Sequence, residues 1–169
     1  MNAEPLLSEI ARLLEDLHFD AVLIGNAAAA LQGAPVTTLD FDFMFRDTPV
    51  NRRKLKTLAT MLGATILRPY YPAADLFRVV RHDGLQIDFL ATIHGVRSFA
   101  GLRDRSTSVT LGSSSLQVAS LPDIIRSKKA ARRPQDLAVL GVLERTYEEA
   151  RRTENASGGT PPRKRPRAR

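Results

Sequence analysis

The stretch Ala21-Val-Leu-Ile-Gly-Asn-Ala-Ala-Ala-Ala-Leu-Gln-Gly-Ala-Pro-Val-Thr-Thr-Leu-Asp-Phe-Asp-Phe43 carries most of what the chain reveals about its fold. Its first four residues, Ala21-Val-Leu-Ile24, form a short continuous apolar run, the pattern of a strand buried on both faces. The run breaks at Gly25-Asn26. Alanines then lead into a short helix over Ala27 to Leu31, closed by Gly33 and Pro35. From Thr38 to Phe45 the residues alternate: Leu39, Phe41, Phe43 and Phe45 fall on one face, and Thr38, Asp40, Asp42 and Met44 on the other. Such a strand has an aromatic face and a carboxylate face.

Outward from this segment the pattern remains mixed. Leu6, Leu7, Ile10, Leu13, Leu14 and Leu17 recur at helical spacing, which predicts a first helix from about residue 5 to 18. A basic amphipathic helix is expected from about Val50 to Leu62, with Leu55, Leu58, Ala59 and Leu62 inward. Strands are expected near 76–81 and 85–91, joined through His82-Asp83-Gly84, and again near 108–111 and 116–119. Ser120-Leu-Pro-Asp123 has the form of a helix start, with Ser120 as N-cap and Pro122 in the first turn. Helices over about 121–132 and 134–149 complete the folded part. The expected class is α/β (α+β): a mixed central sheet flanked by helices, with a helical C-terminal segment.

Composition narrows the function. The chain has 169 residues, 43% apolar, and no cysteine. Thiolate metal sites, disulfide frameworks and cysteine nucleophiles are therefore excluded, and a cytoplasmic setting is the expectation. The three histidines are too scattered for a zinc-protease motif. No apolar run approaches the roughly 18 residues of a membrane helix, so no membrane partner is expected. Of the net charge of +7, residues 151–169 supply +6, through seven basic groups against Glu154. That Gly-, Pro- and Arg-rich segment reads as a disordered polycation suited to RNA phosphates, or as a solubilising terminus.

The chemistry centres on carboxylates. Asp40 and Asp42 share a strand face about 7 Å apart, and like charges so close need an offset. A divalent cation is the simplest one, since hard carboxylate oxygens suit Mg²⁺ or Mn²⁺. The alternating run Leu85-Gln-Ile-Asp-Phe-Leu90 adds Asp88 on the face opposite Leu85, Ile87 and Phe89. Three converging strand carboxylates can hold two metals and support nucleotidyl transfer from a nucleoside triphosphate. The Gly25-Asn26 corner, where a strand feeds a helix, offers backbone N–H groups to triphosphate oxygens. The competing reading has each aspartate on a half-exposed strand, facing solvent.

Together these segments resemble the DNA polymerase β-like nucleotidyltransferases, and among them the small prokaryotic members that include abortive-infection type toxins and minimal nucleotidyltransferases. The resemblance spans about residues 20 to 140. It is carried by Gly25-Asn26, the alanine-rich helix, Thr38-Leu-Asp-Phe-Asp42, Asp88, and Ser120-Leu-Pro-Asp-Ile-Ile-Arg-Ser-Lys-Lys-Ala-Ala-Arg-Arg-Pro-Gln-Asp136. It implies that Asp40, Asp42 and Asp88 are catalytic metal ligands, with Asp88 as a general base. It implies that Gly25, Asn26, Thr38 and Lys128 bind the nucleotide, and that Arg133 and Asp136 support the site. Asp136 would cap a helix or pair with Arg133. The division implied is a catalytic core at 1–119, helices at 120–150 completing it, and the basic tail at 151–169. Two departures stand out. Asn26 replaces the usual Ser or Gly, and Val36 replaces a frequent Arg, which points to altered specificity or reduced activity.

Two functional readings follow. In one, the chain moves a nucleoside monophosphate from an NTP to a hydroxyl acceptor. The tail favours an RNA or tRNA 3′ end as that acceptor, with a partner-protein side chain or a small molecule as alternatives, and a cognate toxin or antitoxin as a possible partner. In the other, the fold is kept as a non-catalytic binding module, an antitoxin or an RNA-binding adaptor.

Overall fold

The computed structural model describes residues 3–38, 40–67 and 76–157. Two helices and two strands open the chain: α1 (Ala3–Asp16), β1 (Ala21–Ile24), α2 (Gly25–Ala30) and β2 (Phe41–Phe45). Next come α3 (Pro49–Met61), β3 (Thr65–Leu67), β4 (Leu76–Val80) and β5 (Gln86–Leu90). The chain continues through α4 (Phe99–Asp104), β6 (Thr107–Leu111), β7 (Ser114–Val118), α5 (Leu121–Ala131) and α6 (Pro134–Ser157). The strands form one mixed sheet in the order β3-β4-β5-β2-β1-β7-β6. The expected mixed sheet with flanking helices is the architecture observed.

Strand register explains how the sheet acquires two unlike faces. Across four neighbouring strands, Phe77 stands beside Phe89, Phe89 beside Phe43, and Phe43 beside Leu23. One residue further along each strand, Arg78 stands beside Asp88, Asp88 beside Asp42, and Asp42 beside Ile24. Successive residues of a strand point to opposite faces, so an aromatic row lies on one side of the sheet and a charged row on the other. On the aromatic side Phe43 and Phe89 stack at 5.3 Å between ring centroids, and Phe19 stacks on Phe89 at 5.4 Å. Phe43, Phe45 and Phe89 are fully buried. A one-residue slip of β2 would bring these rings to the polar side and the aspartates into the core, so burial of the rings pins the register.

Local signals set the helices. Thr48 caps α3 by accepting from the Asn51 backbone N–H, and Leu55, Leu58, Ala59 and Leu62 are buried as the periodicity predicts. Ser120 caps α5 and Pro122 occupies its first turn. The His82-Asp83-Gly84 turn joins β4 to β5, with Gly84 at φ +90°. Short β3 and α4 were not expected. Each is too brief for a periodic signal to stand out.

Two expectations require correction. The Asp40 strand begins later than Thr38: β2 starts at Phe41, and Asp40 sits in the bend before it. The Thr38 hydroxyl lies 2.7 Å from the Asp40 carbonyl and 3.1 Å from its Oδ1, a local side-chain bond that displaces ladder pairing. Leu39, which the alternation includes, lies outside the described residues. At the other end, the last helix runs to Ser157 instead of ending at 149, so 151–157 are helical and not a disordered tail. The segment from Tyr147 to Ser157 contains no Gly or Pro and is rich in Glu, Ala and Arg, good helix formers; Gly158-Gly159 follow. The rest of the expected tail, 158–169, lies outside the described residues.

The connections bring two helices to the same edge. Chain direction is shared by β1 and β7, and Ala119 N–H continues the pairing by donating to the Leu23 carbonyl at 2.9 Å. Thus α2 and α5, which follow these strands, start side by side. Gln32 ties them together: its Nε2 donates to the Ala28 and Ala119 carbonyls at 2.8 and 2.9 Å, and its Oε1 accepts from Leu121 N–H at 3.2 Å. Gln32→Ala leaves these part-buried backbone groups without their side-chain partner. It should lower stability by about 2 kcal/mol in urea denaturation; a loss below about 0.5 kcal/mol would mean that water replaces the amide at no cost.

Candidate active site

The charged row lies where the chain leaves β1 for α2 and re-enters the sheet as β2. Asp42, the second residue of β2, pairs with Ile24 on one side and Asp88 on the other. Asp40 stands just before the strand. Carboxylate oxygens of Asp40, Asp42 and Asp88 lie within 4.8 Å of one another. The convergence expected from the sequence arises because parallel pairing of β2 with β5 brings Asp88 beside Asp42.

The three acids have different surroundings. Burial pushes the Asp42 carboxyl up to about 7, the charges of Asp40 and Asp88 add to the rise, and Lys128 and Arg133 oppose it. Asp40 has Thr38 beside it and Gln86 Nε2 at 3.4 Å from its Oδ2. Asp88, with 8% of its side chain exposed, accepts from both ends of one guanidinium: Arg78 Nε at 2.8 Å and Nη2 at 2.7 Å. Arg78 was not recognised from the sequence. The usable signal was register, since Arg78 and Asp88 lie symmetrically about the turn at residues 82–84.

Gly25 is required twice over. Its φ of +69° disfavours any residue with a side chain, and a Cβ there would lie 2.6 Å from Asp42 Oδ2. The absence of that methyl group keeps the Asp42 carboxylate against the backbone at the start of α2. With only six residues, α2 has little macrodipole, so what this corner offers is the unpaired N–H groups of its first turn. Asn26 donates its Nδ2 to the Thr37 carbonyl at 3.3 Å, pinning the approach to Asp40, while its buried Oδ1 has no hydrogen-bond partner among the described residues.

The opposite wall comes from α5 and the start of α6. Lys128, 11% exposed, donates to Asp136 Oδ1 at 3.0 Å, and Arg133 Nε donates to Asp136 Oδ2 at 2.6 Å. Burial raises the Asp136 carboxyl, but the hydrogen bonds from Arg133 and Lys128 outweigh it and hold the group below its ordinary value. The expected Arg133–Asp136 pair is present, and Lys128 joins it. One buried acid thus fixes two cations that face Asp42. Nearby, buried Asp123 accepts from Arg105, Arg126 and the Ser120 hydroxyl, locking the first turn of α5.

Gly25, Asn26, Thr38, Asp40, Asp42, Asp88, Lys128, Arg133 and Asp136 all line one cleft of about 480 Å³, with Arg78 on its wall. Val36 is partly buried against the core and is not among the residues lining that cleft. Three hard oxygen donors converge here, one of them Asp42, whose carboxyl is raised first by burial and then by the charges of Asp40 and Asp88; the set fits a divalent cation, which would relieve their repulsion.

No family model matches this sequence, and no curated protein matches it. Solved structures do resemble it. The antibiotic-resistance factor ANT(2'')-Ia is similar with a TM-score of 0.61 at 14% identity, over 92% of this chain and 94% of that one. The lincosamide antibiotic adenylyltransferase LnuA, in its lincomycin-bound form, is similar with a TM-score of 0.60 at 12% identity, over 85% of this chain and 96% of that one. TM1012 from Thermotoga maritima, put forward as a nucleotidyltransferase, is similar with a TM-score of 0.57 at 17% identity, over 90% and 92%. The fold of this chain is the nucleotidyltransferase fold.

Asp42 has a pH signature. Because its folded-state pKa lies above the unfolded value of 3.8, the folded state holds more protons between about pH 4 and 7, and stability falls as pH rises through that window. In chelator, Asp42→Asn should abolish this slope and exceed the wild type at pH 8 by on the order of 2 kcal/mol in urea denaturation. Equal stability of the two proteins at pH 8 would show that neither burial nor the charges of Asp40 and Asp88 disfavour the ionised Asp42 carboxylate.

Proposed function

We propose that this chain is a metal-dependent nucleotidyltransferase that moves a nucleoside monophosphate from an NTP to a hydroxyl acceptor and releases pyrophosphate. The observation that carries the reading is the convergence of Asp40, Asp42 and Asp88 within 4.8 Å, facing Lys128 and Arg133 across one cleft. Asp40, Asp42 and Asp88 would hold Mg²⁺ or Mn²⁺. When bound, such ions neutralise triphosphate charge and make an acceptor hydroxyl more acidic.

The chain's own residues supply the rest. Backbone N–H groups at Gly25 and Asn26 receive phosphate oxygens at one end of the cleft. Lys128 and Arg133, pre-positioned by Asp136, offer positive charge to the β- and γ-phosphates from the other side. Thr38 and Asn26 hold the bend that presents Asp40. Asp88 keeps lone pairs beyond those engaged by Arg78, and with one of them it can accept the proton of the attacking hydroxyl. The acceptor oxygen bonds to the α-phosphorus as the bond to the bridging oxygen breaks.

For the acceptor, the basic run at 163–169 favours an RNA 3′ end, tRNA included, and the resemblance to small toxin-like members makes a cognate inhibitor a natural partner. A second reading, a small hydroxyl compound, is favoured by the similar structures. ANT(2'')-Ia has been captured with adenylyl-2''-tobramycin, and LnuA with lincomycin.

The test incubates the protein with Mg²⁺, each α-labelled NTP in turn, and either total RNA or a panel of hydroxyl-bearing small molecules. Label should enter an RNA band and vanish in Asp40→Ala/Asp42→Ala. Label only in a small molecule would favour the second reading. Absence of both transfer and NTP binding would leave the non-catalytic module. For the RNA reading, removing residues 158–169 should weaken RNA binding and flatten its salt dependence while NTP binding stays unchanged; unaltered RNA affinity would remove the tail from the argument.

A further inference from the structure

Arg78 is the one strong cation of the charged row that the proposed transfer does not use. It projects from the middle of β4, directly opposite Asp88 on β5, and engages both carboxylate oxygens at 2.8 and 2.7 Å. The acid is almost wholly buried and the arginine 41% exposed, so the pair is shielded on the acid's side and open on the arginine's. A planar fork of this kind fixes a carboxylate in one orientation and cancels its charge. The same carboxylate is one of three whose oxygens cluster within 4.8 Å. Arg78 and a divalent cation would therefore draw on the same acid.

We propose that Arg78 is a built-in competitor for divalent cations, a positioning residue that acts through Asp88 and sets how tightly the Asp40–Asp42–Asp88 cluster binds metal. The inference rests on reading those three acids as the metal ligands. Its physical content is electrostatic: a fixed positive charge beside the cluster repels an arriving cation and already neutralises one of the carboxylates that cation would bind. Free cation is then held weakly, and the charge deficit is met when the cation arrives with an anionic triphosphate. An ordinary cross-strand ion pair predicts the opposite, because loosening β4 from β5 would disorder Asp88 and weaken metal binding.

The experiment titrates Mn²⁺ into the full chain, stripped of metal beforehand, and follows the free-ion spin resonance signal for wild type, Arg78→Met, Arg78→Lys and Asp42→Asn. Arg78→Met should lower the dissociation constant about three- to tenfold. Arg78→Lys, which keeps the charge, should stay within about twofold of wild type. If Arg78→Met does not fold in chelator, Arg78→Gln, which keeps a donor toward Asp88, makes the same comparison. Unchanged or weaker Mn²⁺ binding in the neutral variant overturns the inference, and so does an equal gain in Arg78→Lys. Wild type binding Mn²⁺ no better than Asp42→Asn overturns the ligand reading itself, and the inference with it.

Discussion

The site depends on the pairing of β2 with β5. Parallel register sets Asp42 beside Asp88, and the next strand sets Arg78 beside Asp88, so one row across a single face of the sheet carries all three charged side chains. Left alone, such a row would be unstable, since it crowds carboxylates at a buried position. The aromatic row on the reverse face offsets it. Burying a large apolar side chain contributes roughly 1.5–3 kcal/mol, and Phe43, Phe45 and Phe89 are all buried in full. The rings hold a register that the acids by themselves would not choose.

The same logic explains the cations. Asp136 collects Lys128 and Arg133, Asp123 collects Arg105 and Arg126, and Asp88 collects Arg78. In each case a buried acid fixes exposed or partly exposed basic groups. Among the described residues, no guanidinium or ammonium group forms an ion pair with Asp40 or Asp42. Of the acids lining the cleft, Asp40 and Asp42 are thus the two left without an ion-pair partner among the described residues.

Mechanical support comes from the connections around the cleft. Gly25 removes the one atom that would collide with Asp42, and Gln32 couples the start of α5 to α2. The wall bearing Lys128 and the corner bearing Gly25 are therefore tied together through one side chain. Under the proposed function, a nucleotide gripped between them would meet a preformed cleft, which reduces the ordering cost of binding.

Much of this was legible in the chain itself. The apolar run Ala21–Ile24, the aromatic-carboxylate alternation after Thr38, the capped start at Ser120 and the turn at His82-Asp83-Gly84 are local patterns, and local sterics and burial are enough to produce them. Asp40, Asp42 and Asp88 were legible as candidates because acids are uncommon at strand positions. Three things departed from that reading, two through local effects and one only through tertiary structure. Thr38 bonding to Asp40 delays β2, helix propensity carries α6 through to Ser157 although its polar end buries little, and Arg78 becomes part of the site only through cross-strand register. Sequence by itself determined which residues alternate, cap and turn, because those effects act within a few residues. Which acids lie together, and which arginine pairs with Asp88, was decided by tertiary structure alone, since charges far apart in the chain interact only after strand pairing brings them within a few ångströms.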